Sequence, residues 1–68
     1  MNWRQFIKIM KIDERAALAK YKAAARSSKN PAIIEVFDKL AYEEQVHIDV
    51  LERFEKDIRA ILASEKKN

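Results

Sequence analysis

The sequence predicts an all-α protein, an antiparallel hairpin of two helices, from three observations. The composition favours helices, because Ala, Lys, Glu, Arg and Leu are abundant, glycine is absent and there is one proline. Apolar residues recur at three- and four-residue spacings through most of the chain. The one clear break is SSKNP, residues 27–31, where Asn30 and Pro31 suit a helix N-cap and first helical position.

Length and composition restrict the classes of protein to consider. The 68 residues allow a single domain, 1–68, and the absence of cysteine excludes disulfides and Cys-ligated metal sites. No apolar run approaches the ~20 residues needed to cross a membrane, and the N-terminus lacks a secretory-signal pattern. A cytoplasmic protein is therefore expected. The net charge of +3 comes without a basic stripe interleaved with aromatic residues, so no nucleic-acid partner is expected.

The boundaries of the two helices follow from capping signals. Helix 1 is predicted over about 3–27, with Asn2 and Gln5 as a capping pair. Alternatively, Asp13 caps a later start and the first eleven residues form a separate arm. The turn is predicted at 28–30 and helix 2 over about 31–64. Helix 2 then outruns helix 1 by about nine residues, or ~13 Å.

Both helices carry an apolar line in which polar residues replace hydrophobic ones. The line on helix 2 is Ile33, Phe37, Leu40, Glu44, His47, Leu51, Phe54, Ile58 and Leu62, widened by Val46, Ile48 and Val50. The line on helix 1 is Phe6, Met10, Glu14, Ala17, Tyr21 and Ala24. One hairpin cannot bury faces this wide, so two hairpins are expected to pair into a four-helix bundle, as a homodimer or a larger oligomer.

The polar residues in these lines form a candidate metal site. Glu14 and Glu44 each lie about 15 residues from the turn, so antiparallel helices bring them to one level, and His47 lies one turn from Glu44 on the same face. Two hairpins related by a two-fold axis would gather four Glu and two His, the ligand set of di-iron carboxylate bundles. Oxygen and imidazole ligands suit iron, with manganese as the alternative, and Glu44 is the candidate bridging ligand.

Two further residues are candidates for supporting the ligands. Tyr21 lies two turns after Glu14 on the same face, and helical side chains lean toward the N-terminus, so its hydroxyl is expected to point toward the metal layer. A ligating histidine usually donates its second ring N–H to an acceptor, and Glu43 is one candidate acceptor for His47.

The stretches ERAALAKY, residues 14–21, and LAYEEQVH, residues 40–47, resemble the rubrerythrin-like branch of the ferritin-like superfamily. They are most similar to the two-helix encapsulated ferritins, and the resemblance covers roughly residues 6–58. It implies a ferritin-like bundle in which Glu14, Glu44 and His47 are the metal-binding and catalytic residues, with Tyr21 beside them. It also implies a ferroxidase that binds ferrous iron between two hairpins and oxidises it with dioxygen for storage or detoxification.

Other functions stay open at this point. A rubrerythrin-like protein that consumes peroxide at a di-metal site is one, although the chain has no Cys-x-x-Cys rubredoxin segment to feed it electrons. A non-enzymatic dimerisation or adaptor module is another; there Glu44 and His47 would form a polar layer that fixes register, and Glu14 would face solvent. No C-terminal targeting extension is evident, which argues against an encapsulin shell as a partner.

Overall fold

A computed structural model describes residues 1–66 as two antiparallel α-helices and no strands. Helix α1 spans Trp3–Ser27, 25 residues, and helix α2 spans Pro31–Lys66, 36 residues. Both helices begin where the sequence places them, and α2 continues two residues beyond its expected end. The last two residues of the predicted domain, 67–68, lie outside the described residues.

Helix α1 is capped at its first turn. The Oδ1 atom of Asn2 accepts a hydrogen bond from the backbone N–H of Gln5 at 3.1 Å, which satisfies one of the free amides at the helix start. The alternative start at Asp13 is wrong, because that residue lies inside one continuous helix. The early start of α1 has a physical reason. Ile7 is fully buried, so the N-terminal segment packs as part of the hairpin and stays helical.

Short side chains build the turn between the helices. The Oγ atom of Ser28 accepts from the N–H of Asn30 at 3.0 Å, and the Oδ1 atom of Asn30 accepts from the N–H of Ala32 at 2.9 Å. Pro31 follows as the first helical residue, where a missing N–H costs nothing. The expected N-cap therefore forms, and a three-residue connection places α1 and α2 side by side.

The core of the hairpin is narrow and coincides only in part with the predicted apolar lines. Its buried apolar side chains are Ile7, Ala25, Ala41, Ile48, Leu51 and Ile58. Ile48 was expected only to widen the face, whereas it is among the most buried residues, and Ile33 of the predicted line stays exposed. Leu51 and Ile58 of the predicted α2 line belong to this core, whereas no residue of the predicted α1 line does, so the predicted faces overlap the helix contact only in part.

Charge is divided unequally between the two helices. Helix α1 has seven Lys and Arg against two Asp and Glu, a formal charge of +5, and α2 has five against nine, a formal charge of −4. Within the described part of the chain, lysine and arginine side chains of α1 form two ion pairs with α2, Lys11 to Glu55 at 3.0 Å and Arg15 to Glu52 at 3.9 Å. The opposite charges therefore favour pairing of α1 with α2 on the side of the hairpin that carries these pairs.

The hairpin is a thin rod with exposed apolar side chains. It measures 55 × 15 × 14 Å with a radius of gyration of 16.1 Å, whereas a compact domain of this length has a radius of about 11 Å. None of the described helices is long and apolar enough to cross a membrane. The rod leaves large hydrophobic residues uncovered along its length: Trp3, Phe6, Ile9, Ile12, Ile33, Val36, Tyr42, Val46, Val50 and Ile61.

Candidate metal centre

Three side chains with metal-binding atoms meet near the middle of the rod. The Nδ1 atom of His47 lies 3.5 Å from Oε2 of Glu14 and 3.7 Å from Oε2 of Glu44. Glu14 comes from α1, and Glu44 and His47 come from adjacent turns of α2, which places them on one face. The antiparallel pairing thus brings the two carboxylates to one level, as their equal distances from the turn predict.

The spacing of the donor atoms suits a cation. One ligand atom from each of the three residues lies within 4.8 Å of the others. Metal–oxygen and metal–nitrogen bonds of about 2 Å hold donors of one ion a few ångströms apart. Small side-chain rotations would therefore bring all three donors onto a common ion. A set of two carboxylates and one imidazole favours iron, manganese or zinc over soft cations such as copper(I).

Glu44 shows that the site requires a partner for its carboxylate. Its side chain is 16% exposed, against 28% for Glu14 and 55% for His47. The Oε2 atom of Glu44 is buried and has no hydrogen-bond partner among the described residues. An unsatisfied buried carboxylate oxygen is costly, and a bound cation removes that cost. The residues present therefore fit a metal ion.

An open cavity of about 250 Å³ exposes the site on one side of the rod. Its walls are Met10, Glu14, His47, Val50 and Leu51. The wall is largely hydrophobic, so the carboxylate of Glu14 and the imidazole of His47 are the polar groups that a small ligand would meet there.

The cavity belongs to a longer hydrophobic strip, which we call the open flank. Val36 and Ile61 lie eleven residues, about three helical turns, from His47 and Val50, and therefore point the same way as those cavity residues. The open flank comprises Phe6, Met10, Val36, His47, Val50 and Ile61. The ion pairs of Lys11 and Arg15 lie on the opposite side.

Comparison with known protein families agrees with this geometry. The sequence model of the rubrerythrin family matches residues 7–68, which includes the three clustered side chains. The chain belongs to the rubrerythrin family. The family is part of the ferritin-like superfamily, and membership suggests a di-iron ferritin-like protein. Similarity to the two-helix encapsulated ferritins in particular stays a prediction. No curated protein and no solved structure matches the chain.

The two supporting residues of this rubrerythrin-family chain are less closely tied to the site. The ring of Tyr21 packs against that of Phe37, with 6.2 Å between ring centroids. In residues 1–66 no hydrogen bond joins Tyr21 to Glu14 or Glu44, and His47 has Glu14 and Glu44, not Glu43, as its carboxylate neighbours within 4 Å. The roles of Tyr21 and Glu43 therefore stay predictions.

Sequence reasoning missed two features of the rubrerythrin-family site. Met10 and Val50 were taken for packing and face-widening residues, yet both line the cavity together with Glu14 and His47. A signal was present for both, because Met10 lies one turn before Glu14 and Val50 one turn after His47. Helical spacing could have placed them beside the ligands, but it could not show that the space between them stays open.

Proposed function

We propose that the protein binds ferrous iron at a site shared by two hairpins and oxidises it with dioxygen for iron storage or detoxification. The observation that carries the proposal is the buried, unpartnered Oε2 atom of Glu44, 3.7 Å from the Nδ1 atom of His47. Iron is the substrate in this proposal. Manganese suits the same ligands and is the alternative metal.

The ligand count supports a site built from two chains. One hairpin offers two carboxylates and one imidazole, too few to complete the coordination of a pair of iron ions. A two-fold axis beside the open flank would double this set to four Glu and two His, the arrangement of di-iron carboxylate bundles. His47 supports this placement, because it is half exposed and lies on the side that a partner would cover.

The surface of the single hairpin also supports pairing. Its accessible area is 5563 Å², whereas a folded monomer of 8.0 kDa typically exposes about 4,450 Å². The excess of roughly 1,100 Å² exceeds the ~800 Å² that each partner buries in a standard interface. We therefore propose a homodimer that forms a ferritin-like four-helix bundle by covering the open flank, with larger oligomers built from that unit.

The carboxylates, the imidazole and the hydrophobic wall of the site have different tasks in this mechanism. When bound, ferrous iron supplies one electron per ion, and dioxygen takes up two electrons and two protons to leave as hydrogen peroxide. The carboxylates of Glu14 and Glu44 offset the positive charge of the metal, and the imidazole of His47 binds through a ring nitrogen. Val50 and Leu51 line the cavity beside His47 and, once a partner covers the open flank, would limit the access of water and competing anions to the site.

Anaerobic loading tests the proposal. Ferrous iron is added to the metal-free protein, air is admitted, and near-ultraviolet absorption of ferric iron is followed at about one iron per chain. The wild-type protein should develop this absorption faster than buffer alone. Glu44→Gln should lose it, because the variant keeps the shape of the side chain without its charge. Glu35→Gln, which removes an exposed carboxylate from the same helix, should behave as wild type.

Hydrogen peroxide is the competing oxidant, because the alternative function is a rubrerythrin-like protein that consumes peroxide at a di-metal site. The same anaerobic protein is therefore mixed with peroxide in a parallel experiment. Faster iron oxidation by peroxide than by dioxygen would make the protein a peroxide-consuming di-metal protein. Failure to bind iron at all, with a dimer still present, would instead leave a helical dimerisation module.

A further inference from the structure

Met10 stands beside the metal ligands in a position that the proposed function does not use. It lies one turn before Glu14 on α1, and it shares the walls of the 250 Å³ cavity with Glu14 and His47. The chain contains two methionines, and the other, Met1, is 84% exposed. One thioether therefore faces the site, and one faces solvent.

The chemistry of a thioether makes this placement significant. The sulfur of methionine attacks the oxygen of hydrogen peroxide, the O–O bond breaks, and the products are methionine sulfoxide and water. Sulfur is oxidised by two electrons and peroxide is reduced by two, so no further reactant is needed. Peroxide is the product that the proposed reaction releases into this cavity.

We propose that Met10 is the site at which the protein is oxidised by its own product, with methionine sulfoxide forming there during iron oxidation. The inference rests on the proposed function, because it requires peroxide from the metal site. Two features favour Met10 as the target: its place on the cavity wall, and the hydrophobic neighbours Val50 and Leu51, which offer peroxide no competing reaction.

Oxidation of Met10 has a structural consequence. The sulfoxide is polar and chiral, whereas the thioether is a flexible apolar group that fills gaps between helices. Met10 belongs to the open flank, so its sulfoxide would place a polar oxygen where the proposed partner packs. Turnover would then weaken the dimer, and a methionine sulfoxide reductase would restore it.

Peptide mass spectrometry after iron oxidation tests the inference. Metal-free protein is loaded with ferrous iron, exposed to air with catalase present, and digested. The peptide containing Met10 should gain about 16 Da, the mass of one oxygen atom. Its oxidised fraction should exceed that of Met1 by about tenfold, because peroxide meets Met10 before it reaches catalase in solution.

The controls compare thioethers in one molecule. Peroxide added from outside, without iron, should oxidise the exposed Met1 first and reverse the order. The Ile12→Met variant supplies a second exposed reference on α1, two residues from Met10 and facing away from the site; its new thioether should follow Met1.

Three results would overturn the inference. Sulfoxide that forms in proportion to exposure would mean that free peroxide is the oxidant. Sulfoxide that forms at Met10 without catalase but not in its presence would mean the same. An unmodified Met10 after complete iron oxidation would reject the inference and leave the proposed function standing. Failure of iron to oxidise would reject both, and the absorbance record distinguishes that case from the others.

Discussion

Glu44 has opposite effects on the metal-free and the metal-bound hairpin. In the metal-free chain its buried Oε2 atom has no hydrogen-bond partner among the described residues, so the carboxylate raises the free energy of the folded state. A cation beside Glu14 and His47 would reverse that effect, since the same oxygen then gains a partner. One side chain therefore links folding stability to metal binding.

Replacing Glu44 by leucine tests its effect on the stability of the metal-free protein. Glu44→Leu should raise the free energy of unfolding of the metal-free protein by about 1–3 kcal/mol, because a hydrophobic side chain of similar volume replaces an unsatisfied carboxylate. Urea unfolding in the presence of a metal chelator measures this change in the free energy of unfolding. Glu35→Leu, at an exposed position, should change stability by no more than about 0.5 kcal/mol.

Adding a divalent metal ion tests the effect of Glu44 on the metal-bound protein. At a concentration about 100 times its dissociation constant, a divalent metal should stabilise the wild-type protein by about 2.7 kcal/mol. Glu44→Leu should gain little from the same addition. A metal-free Glu44→Leu protein that is less stable than wild type would show that the carboxylate is satisfied in solution and that its burial is not a cost.

At the residue scale the sequence was sufficient to predict that three side chains with metal-binding atoms meet, but not how the side chains beside them are oriented. Glu14, Glu44 and His47 could be predicted because each interrupts an apolar line at a level set by counting from the turn. The direction of a ring cannot be counted in this way. Tyr21 packs against Phe37, and rotamers depend on neighbours that a single sequence does not reveal.

The two helices are joined by an ion pair that responds to pH. The Lys11 ammonium donates a hydrogen bond to Glu55 at 3.0 Å and lowers the pKa of that carboxyl from its usual 4.5. Partial burial of Glu55 opposes this shift, and the charges of Lys11, Lys8 and Arg15 reinforce it. The folded state therefore binds a proton at Glu55 less readily than the unfolded state.

The sign of the resulting pH dependence follows from linkage. Because the pKa of Glu55 is lower in the folded state, its stabilising contribution is complete above pH 4.5 and disappears as the pH falls through the lowered value. Wild type should be more stable than Glu55→Gln at neutral pH, and the difference should shrink as the pH drops below about 4.5.

Urea unfolding from pH 7 to about pH 3 measures this difference, within the range over which acid titrates such carboxyls. Glu65→Gln, at an exposed position near the end of α2, is the reference for general charge effects. A wild-type advantage over Glu55→Gln that does not change with pH would mean that the contact with Lys11 contributes through packing alone.

The bounds of each helix could be predicted closely, but the face that each helix turns toward the other could not. The N-cap residues Asn2 and Asn30 act locally, so the sequence identifies them directly. The apolar faces are wide enough for two contacts. Periodicity alone could not decide that Ile48 faces α1 while His47 and Val50 face outward.

The whole molecule is a rod whose two long sides differ in character. One side carries the ion pairs between α1 and α2, and the other carries the open flank with the candidate metal ligands at its centre. A rod 14 to 15 Å thick has no second layer to cover that flank. Pairing of two chains along the open flank is therefore the proposed solution.

One substitution far from the ligands tests that pairing. Val36 belongs to the open flank and is 54% exposed in the single hairpin. Val36→Lys should convert a dimer of about twice 8.0 kDa into monomers, because each interface would then bury two unpaired ammonium groups. Sedimentation equilibrium measures the mass, and iron oxidation should be lost although all three ligands remain.

The matched control lies on the outer surface of the rod. Ile12 is 65% exposed and faces away from the cavity, so Ile12→Lys should leave both the mass and the iron oxidation unchanged. A Val36→Lys protein that still sediments as a dimer would show that the chains meet elsewhere. Iron oxidation by a monomeric Val36→Lys protein would show that one hairpin suffices.

The division of the ligands into identical sets of three also has a genetic consequence. In the proposed dimer neither chain can complete the site alone, and each accepts any partner that presents the same flank. Cells expressing equal amounts of intact and Glu44-deficient chains would hold intact pairs in only about a quarter of the dimers. A single defective allele would then act dominantly, with a loss of activity larger than its share of the protein.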